Sequence, residues 1–385
     1  MQSYFSSDFT LGILGGGQLG KMLLYETRKF DIQTAVLDPN PEAPGAIACN
    51  HFETGDLQDF DTVYNFGKKV DVLTIEIEAV NIKALQQLEK EGITVYPSSS
   101  TLQKIQNKGI QKEFYKQHQI PTAAFTKFES KELLLKAFQE NKITLPCIWK
   151  STEGGYDGKG VEVIKDKSQL QTLPETECII EEKIDFAYEI AVIVARNPDG
   201  DTVAYPTVEM EFHPEANQVE YVICPARIDE VIQTKAKDIA IKVSEAFEHV
   251  GLLAIEMFVT KDNEILVNEV APRPHNSGHY SIEASYTNQF EQHIRAILNL
   301  PLGNTASKVA GIMVNLVGKE GYEGPVIYKN LNNILKMDGV IPHIYGKKIT
   351  RPFRKMGHVT IVNKEVSKAR KIAEEVKNLI EVISE

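Results

Sequence analysis

Two acidic stretches in the second half of the chain carry side chains suited to hold a divalent cation. Glu256 interrupts the apolar run LAIEMFVT, and Asn268 with Glu269 interrupts the later run ILVNEVAP. The turn-forming letters TKDNEI between them predict a β-hairpin, in which both carboxylates can project from one face of adjacent strands. Mg2+ commonly takes one or two carboxylates together with phosphate oxygens and water. The pattern favours a magnesium site shared with a substrate phosphate, the alternative being two solvent-facing acids on an amphipathic hairpin.

A glycine-rich segment, WKSTEGGYDGKGV, has the composition of a phosphate-binding loop. Glycine lets backbone N–H groups close around an anion, and Lys150 and Lys159 add positive charge on both sides. The spacing differs from the Walker pattern, and a plain glycine-rich hairpin is the alternative. The candidate residues of this phosphate loop are Gly154, Gly155, Tyr156, Asp157, Gly158, Lys159 and Gly160.

A dense group of hydrogen-bond donors follows the second acidic stretch, in the segment APRPHNSGH. Arg273, His275, Asn276, Ser277 and His279 stand within seven positions, between two prolines and a glycine. Proline restricts the backbone, so these side chains are held more rigidly than in an ordinary loop. The cluster favours binding of a small anion.

The segment TLGILGGGQLGKM near the start of the chain raises a different possibility. Gly15, Gly17 and Gly20 fit the spacing G-x-G-x-x-G of dinucleotide-binding enzymes, and Asp38 lies where a ribose-binding acid is expected. One hypothesis is therefore an NAD-dependent oxidoreductase. The other is a strand–loop–helix whose helix N-terminus accepts a different anion.

The segment CIIEEKIDFAYE places several charges after an apolar strand. Glu181, Glu182 and Lys183 are consecutive, and Glu189 follows one turn later. By itself such a run is typical of a solvated surface. Its interpretation as part of a binding site depends on the neighbouring motifs.

The elements that position these residues fall into three parts. Residues 1–110 alternate short apolar runs with helical stretches, which predicts βαβ units around a parallel sheet. Residues 111–185 read as a small α+β unit, and residues 186–385 as a longer strand-rich unit with a β-rich tail from about residue 305. The predicted fold class is α/β and α+β, in several domains, with a Rossmann-like parallel sheet first.

Composition limits the classes of function. The chain has 42 Lys and Arg against 53 Asp and Glu, a net charge of −11, which argues against a nucleic-acid-binding surface. No leader-like start and no membrane-length apolar stretch are visible, so we expect no membrane partner. The 4 cysteines stand far apart without a C-x-x-C pair, which favours a reducing cytoplasm.

Taken in order, the phosphate loop, the acidic segment and the paired acidic strands resemble the ATP-grasp superfamily. Within it, ILGGGQLGKM, GGYDGKG and NEVAPRPHNSGH are similar to the N5-carboxyaminoimidazole ribonucleotide synthases, ATP-dependent carboxylases of bacterial purine synthesis. The resemblance spans about residues 9–362. It implies an N-terminal domain of dinucleotide-binding shape that holds no dinucleotide, a lid domain over residues 111–185, and a C-terminal domain, with ATP between the last two.

The resemblance also implies an ATP and metal site. Glu256 and Glu269 are expected to bind Mg2+, or Mn2+ in its place, with Asn268 in support. Besides the phosphate-loop residues, the implied ATP contacts are Lys108, Lys150, Glu182, Lys183, Ile184, Glu189, His213, Asn268 and Glu269.

The implied reaction joins bicarbonate to aminoimidazole ribonucleotide through carboxyphosphate. Lys159, Arg273, Tyr156 and Asp157 are the implied catalytic residues, and Lys347 with Arg354 is expected to bind the 5′-phosphate. A homodimer and a hand-off to the downstream mutase are further expectations. The implied ribonucleotide contacts are Gln18, Leu19, Glu76, Tyr156, Asp157, Arg273, His275, Asn276, Ser277, Lys347 and Arg354.

Three alternatives remain open at this point. One is the formate-dependent ATP-grasp enzyme that acts on glycinamide ribonucleotide, which shares a stretch like EIEA; the letters NSGHYS after PRPH favour the carboxylase. The second is the NAD-dependent oxidoreductase. The third is a nucleotide-binding module without catalytic activity, against which Glu256, Glu269 and Lys150 speak.

Overall fold

The computed structural model describes residue 4 and residues 6–154, 160–213 and 218–385. The first part of the chain alternates strands and helices, as predicted. Its elements are β1 (Thr10–Leu14), α1 (Gln18–Lys29), β2 (Gln33–Asp38), β3 (His51–Thr54), α2 (Phe60–Gly67), β4 (Val72–Ile75), α3 (Ile82–Lys90), β5 (Thr94–Val95) and α4 (Ser99–Gln106). The five strands form a parallel sheet in the order β3-β2-β1-β4-β5, with the carboxyl ends of β1, β2 and β4 at one edge.

The second part is a small antiparallel sheet with one helix against it. Its elements are α5 (Lys108–Gln117), β6 (Phe125–Phe128), α6 (Lys131–Gln139), β7 (Cys147–Ser151), β8 (Val161–Ile164) and β9 (Cys178–Glu182). The strand order β6-β9-β7-β8 puts β9 and β7 in the centre of this sheet. Trp149 on β7 is 2% exposed and lies in the sheet's own apolar core.

The third part contains most of the strands. Its elements are β10 (Phe186–Arg196), β11 (Thr202–Ala204), β12 (Val208–Phe212), β13 (Val219–Cys224), α7 (Glu230–Phe247), β14 (Gly251–Thr260), β15 (Ile265–Ala271), α8 (Ser281–Ala284), α9 (Gln289–Ile297), β16 (Ala310–Val317), β17 (Gly324–Pro325), β18 (Ile327–Lys329), α10 (Leu331–Ile334), β19 (Val340–Ile344), β20 (Ile349–Thr350), β21 (Lys355–Asn363), α11 (Val366–Leu379) and β22 (Glu381–Ile383).

A nine-stranded sheet organises this third part. Its order is β15-β14-β10-β12-β13-β16-β21-β19, with β11 added to β10. The predicted tail from about residue 305 does form short strands, but β16, β21 and β19 extend the large sheet through the β13–β16 pair. The tail is thus structurally continuous with the part that precedes it.

Two apolar clusters fix how the sheets sit around the site. Phe114 and Tyr115 of α5 pack with α7 and with residues of β10, β14 and β15. The other cluster joins Leu11, Leu23 and neighbouring residues of β1 and α1 to Phe290 of α9. Buried apolar contacts of this extent stabilise a domain arrangement. The glycine-rich turn after β1 is therefore held beside the loop between β15 and α9.

The predicted divisions at residues 110 and 185 stay a prediction, although none of the three main sheets crosses either of them. Within the described ranges, no helix combines the length and the apolar character needed to cross a membrane.

Candidate active site

The two acidic strands form the predicted hairpin. β14 and β15 are antiparallel, and Glu256 lies directly opposite Glu269 in their register. The register then shifts, because Met257 pairs with Val267, which leaves Asn268 as the additional residue of a β-bulge. A bulge re-aims side chains locally. Here it places an amide next to two carboxylates on neighbouring strands.

The electrostatics of this hairpin fit a cation. Burial, and then the charges of Glu269 and Glu189, raise the pKa of Glu256 well above its usual range. Burial and the charge of Glu269 likewise raise the pKa of Glu189 to about 8. Crowded carboxylates favour either a shared proton or a bound cation. In the part of the chain that the structure describes, no group of three or more His, Cys, Asp and Glu side chains is arranged to hold a metal alone.

Lys150 connects the small sheet to this hairpin. It lies at the end of β7, and its Nζ donates a hydrogen bond to Asn268 Oδ1 at 3.1 Å. The same Nζ lies 2.9 Å from Glu181 Oε2 on β9, and the Lys150 side chain is 10% exposed. The predicted phosphate-binding lysine is thus held next to the acidic pair.

Two residues of this network were not among the predicted site residues. Lys112 on α5 lies 2.9 Å from Glu181 Oε1, and the two side chains are 3% and 4% exposed. Burial lowers the pKa of Lys112 to about 8, although Glu181 acts in the opposite direction. Burial acts to raise the pKa of Glu181, but Lys150 and Lys112 outweigh it and hold that pKa below its usual range. The sequence signal for Lys112 is its place three residues before Tyr115, within the apolar face of α5.

The arms of the predicted phosphate loop meet at their bases. The amide of Ser151 donates to the Gly160 carbonyl at 2.9 Å, and Gly154 and Gly160 have φ values of 76° and 71° that favour glycine. Lys108 begins α5, and its amide donates to the Thr152 carbonyl at 2.9 Å. The remaining predicted loop residues, Gly155, Tyr156, Asp157, Gly158 and Lys159, lie outside the described residues.

The predicted nucleotide-binding residues Glu182, Lys183 and Ile184 lie at the end of β9 and in the short link to β10. Glu182 and Lys183 are exposed, and Ile184 is half-buried. Glu189 is opposite Phe258 in the β10–β14 register, and the Phe258 ring stacks on Phe186 with centroids 4.6 Å apart. Glu189 therefore lies beside a flat aromatic surface. Glu256 lies two residues from Phe258 on β14, the strand that pairs with β10.

His213 contacts the C-terminal tail of the chain. It follows β12, and its ring meets the Phe353 ring edge-on with centroids 6.2 Å apart. Phe353 directly precedes Arg354 in the chain. The structure thus associates His213 with the segment that carries the predicted phosphate clamp.

The donor loop between β15 and α9 reaches the acidic hairpin. His275 Nδ1 accepts from the Ser277 amide at 3.3 Å, and Nε2 lies 3.5 Å from Glu256 Oε1. Burial, and then Arg273, lower the pKa of His275 well below its usual range, so the ring is neutral and its proton is on Nε2. Gln289 fixes the loop because its side chain bonds the backbone N–H and the carbonyl of His275 at 2.8 and 2.9 Å.

Arg273 connects the donor loop to the N-terminal part of the chain, and Asn276 in the same loop has a buried side-chain amide. Arg273 lies 2.9 Å from Glu78 Oε1, beyond the end of β4, and its charge also acts on Glu76 and Glu256. Both polar atoms of the Asn276 amide are buried and make no hydrogen bond to any residue that the structure describes. A buried, unsatisfied amide is costly, and a bound ligand can satisfy it.

The glycine-rich turn after β1 is filled by protein side chains. Glu76 Oε1 accepts a hydrogen bond from the Leu19 amide at 3.1 Å, and Leu19 directly follows Gln18 at the start of α1. A Cβ on Gly17 would come within 2.5 Å of the same oxygen. Asp38 accepts from the Gly16 amide at 2.7 Å. Both acids are engaged with this turn, which opposes the use of Gly15, Gly17, Gly20 and Asp38 to bind a dinucleotide.

The remaining predicted substrate residues line a cavity of about 260 Å³ at the same turn. Lys347 and Arg354 contribute to its wall together with Gly17 and Asp38. Lys347 Nζ donates to the Lys355 carbonyl at 2.8 Å, and Arg354 donates to the Ile349 carbonyl at 2.5 Å, so both side chains are oriented by backbone oxygens. The structure thus joins two residues from the C-terminal tail to the start of α1.

The chain matches three domain families in succession. Residues 9–106 match the ribonucleotide synthetase preATP-grasp domain, and residues 113–290 match the ATP-grasp domain. Residues 311–372 match the phosphoribosylaminoimidazole carboxylase C-terminal domain. This order confirms the predicted fold class.

Curated relatives match over nearly the whole chain. N5-carboxyaminoimidazole ribonucleotide synthase of Bacillus subtilis is 38% identical over 359 residues, which cover 91% of each protein. Phosphoribosylaminoimidazole carboxylase of Ogataea methanolica is 37% identical over 370 residues, covering 93% of this chain and 67% of that protein.

Solved structures give the same result. The N5-carboxyaminoimidazole ribonucleotide synthetase of Thermotoga maritima is 42% identical, with a TM-score of 0.90 over 98% of this chain and 100% of that one. The Aspergillus clavatus synthase, solved with ADP and 5-aminoimidazole ribonucleotide, is 30% identical, with a TM-score of 0.87 over 96% and 98% of the two chains. These likenesses favour the carboxylase over the formate-dependent and NAD-dependent alternatives. The chain belongs to the N5-carboxyaminoimidazole ribonucleotide synthases, ATP-grasp ligases of purine biosynthesis.

Proposed function

We propose that the chain uses ATP and bicarbonate to carboxylate the exocyclic amine of 5-aminoimidazole ribonucleotide. A bicarbonate oxygen attacks the γ-phosphorus of ATP, which gives carboxyphosphate and ADP. Carboxyphosphate then releases CO2 and phosphate. The amine forms a C–N bond to the carbon of CO2 and loses a proton. The observation that carries the proposal is the donor loop at Arg273 and His275, which contacts the acidic hairpin on one side and Glu78 on the other.

ATP is proposed to lie between the small sheet and the large sheet. Lys150 is supported as a phosphate ligand by its buried position beside Asn268. Lys108, at the base of the phosphate loop, is the second cation, and the loop residues 154–160 cover the phosphates. Glu182, Lys183 and Ile184 are proposed to line the adenine, Glu189 to bind the ribose hydroxyls, and His213 to lie near the nucleotide.

Mg2+ is proposed to be bound by Glu256 and Glu269, with Asn268 in support. The raised pKa of Glu256 in the presence of two neighbouring carboxylates fits a group that normally faces a cation. When bound, the metal neutralises charge on the phosphates during phosphoryl transfer. Mn2+ fits the same oxygen ligands.

The ribonucleotide is proposed to lie between the start of α1 and the donor loop. Lys347 and Arg354 bind its 5′-phosphate, since both line the cavity that contains Gly17. Gln18, Leu19 and Glu76 contact the nucleotide from the N-terminal side. His275, Asn276 and Ser277 contact it from the donor loop, where the unsatisfied amide of Asn276 supports a ligand contact.

Positioning and water exclusion are proposed to supply most of the catalysis. Carboxyphosphate is rapidly hydrolysed, so the amine has to be held close while water is kept out. Holding reactants together in this way is worth effective molarities of about 10⁵–10⁸ M. Arg273 is proposed to stabilise the transferring carboxyl group, together with Tyr156, Asp157 and Lys159 of the phosphate loop.

We further propose a homodimer that works in a reducing cytoplasm and passes its product to the mutase of the next step. All four cysteines are free thiols, which supports a reducing compartment.

The test is an ADP-release assay with 5-aminoimidazole ribonucleotide, with and without added bicarbonate. We expect ADP release that needs both compounds, with one CO2-derived carbon in the product for each ADP. Release that depends on formate and glycinamide ribonucleotide instead would overturn the proposal. Reduction or oxidation of a nicotinamide cofactor would overturn it in favour of the oxidoreductase.

A further inference from the structure

We propose that Lys112 and Glu181 are positioning residues that orient the Lys150 ammonium toward the ATP phosphates; this inference rests on the proposed function. Glu181 lies between two lysines, with Oε1 at 2.9 Å from Lys112 Nζ and Oε2 at 2.9 Å from Lys150 Nζ. Because the side chains of Lys112 and Glu181 are only 3% and 4% exposed, the proposal assigns neither of them a direct contact with the nucleotide. They act through Lys150.

The geometry gives Lys150 one orientation. Its Nζ has a carboxylate oxygen on one side and Asn268 Oδ1, at 3.1 Å, on another. An ammonium has three donors, so two of them are directed by these contacts and the third is available in a fixed direction. Because all three charged side chains are at most 10% exposed, water does not compete strongly for these contacts.

Lys112 anchors the carboxylate from outside the small sheet. Its Nζ donates to Thr122 Oγ1 at 2.6 Å, and Thr122 Oγ1 donates to the Val267 carbonyl on β15 at 2.7 Å. The amide of Val267 in turn donates to the Pro121 carbonyl at 2.8 Å. A continuous path therefore runs from α5 to β15, one residue from Asn268. Lys112 sets the position of Glu181 relative to both walls of the proposed ATP site.

A purely structural role is the competing explanation, since a buried ion pair can serve only to satisfy its own charges. Such a role predicts a loss of stability that is independent of Lys150. A positioning role predicts that the effect on nucleotide binding disappears when Lys150 is absent. The two explanations are separated by a double-mutant cycle.

The experiment measures the binding of ADP with Mg2+ by calorimetry in Lys112→Met, Lys150→Met and the double variant. We expect Lys112→Met alone to weaken binding roughly tenfold, and to add little or nothing in the Lys150→Met background. Lys116→Met is the matched control, because Lys116 is exposed one turn further along α5. It is expected to bind ADP as the unaltered chain does.

Thr122→Val provides a second variant should Lys112→Met not fold. It preserves shape but removes the hydroxyl that holds Lys112, so a smaller weakening in the same direction is expected, again only when Lys150 is present. Additive effects in both backgrounds, or unchanged binding in Lys112→Met, would overturn the inference. Unchanged binding in Lys150→Met would instead overturn the placement of ATP in the proposed function.

Discussion

Glu76 accepts a hydrogen bond from the amide of Leu19 at 3.1 Å, at the amino end of α1. Gly17, which precedes this helix, has no side chain to cap it, so the Glu76 carboxylate provides the negative group that a helix N-terminus favours. In dinucleotide-binding proteins a pyrophosphate lies at the corresponding place. A carboxylate here attracts hydroxyl and amine donors instead, which fits a ribonucleotide whose phosphate lies against Lys347 and Arg354 on the other side of the same cavity.

Replacing Glu76 with Gln should separate stability from substrate binding. Burial raises the pKa of Glu76 above its usual value of 4.5, although Arg273 opposes this. A carboxyl group whose pKa is higher in the folded chain makes its full contribution to stability at pH values below 4.5. That contribution is lost as the pH rises through the folded-state pKa. At pH 7 the neutral side chain of the Glu76→Gln variant is therefore expected to leave the melting temperature unchanged or higher, while the KM for the ribonucleotide rises about tenfold. A lower melting temperature together with an unchanged KM would contradict the assignment.

Replacing Glu269 with Gln should abolish bicarbonate-dependent ATP hydrolysis, because the proposed metal loses one of two opposed carboxylates. Mg2+ with ADP should then stabilise the variant less than the unaltered chain in a thermal-shift measurement. Glu264→Gln is the matched control, since Glu264 is exposed in the turn of the same hairpin. Near-normal turnover by Glu269→Gln would contradict the metal assignment.

The pairing of Glu256 with Glu269 could be predicted because it depends on a short turn. A hairpin fixes which residues face each other as soon as its turn is located, and the letters TKDNEI locate this one. The bulge at Asn268 could not be predicted in the same way. An additional residue in one strand is set by how the hairpin packs against its neighbours, and the local sequence carries no clear signal for it.

The partnership of Lys112 with Glu181 shows where local patterns stop being informative. Glu181 belongs to a run of charges that is typical of solvated surface, but β9 is a central strand, flanked by β6 and β7, which buries the residue. Lys112 pairs with it from a helix outside that sheet. Such a contact depends on the packing of two elements that are distant in the chain.

Lys347 and Arg354 illustrate the same limit in the tail. Their local sequence is that of exposed surface charges, and only the family resemblance predicts a substrate role. Their position at the start of α1 follows from the tertiary arrangement. Strands of the tail extend the large sheet, and the Lys21 ammonium of α1 donates to the carbonyls of Ile344 and Tyr345 at 3.1 and 3.3 Å.

Replacing Arg354 with Ala should raise the KM for the ribonucleotide far more than the KM for ATP. A charge-assisted hydrogen bond to phosphate is worth about 1.5–3 kcal/mol, which corresponds to roughly 10-fold to 150-fold in KM. Arg351→Ala changes the same charge three residues away, where the side chain is exposed and does not line the cavity, and should leave both constants unchanged. Equal effects of Arg354→Ala on the two KM values would count against the phosphate clamp.

Acid should weaken the contact between the N-terminal sheet and α9. His293 Nδ1 accepts from the Leu252 amide at 3.2 Å, so Nε2 carries the proton and donates to Thr74 Oγ1 at 2.9 Å. Burial, with a smaller effect of His249, lowers the pKa of His293 from 6.5 to about 3. The unfolded chain therefore binds a proton that the folded chain excludes, and the stability that the neutral ring provides above pH 6.5 is lost as pH falls toward 3. Urea titrations at pH 7 and pH 5 measure how far the free energy of unfolding falls over this range. We expect that fall to be about 2 kcal/mol smaller in the His293→Gln variant than in the unaltered chain. His51→Gln, which changes an exposed histidine, should keep the original pH dependence, and an equal loss in all three proteins would show that His293 does not contribute.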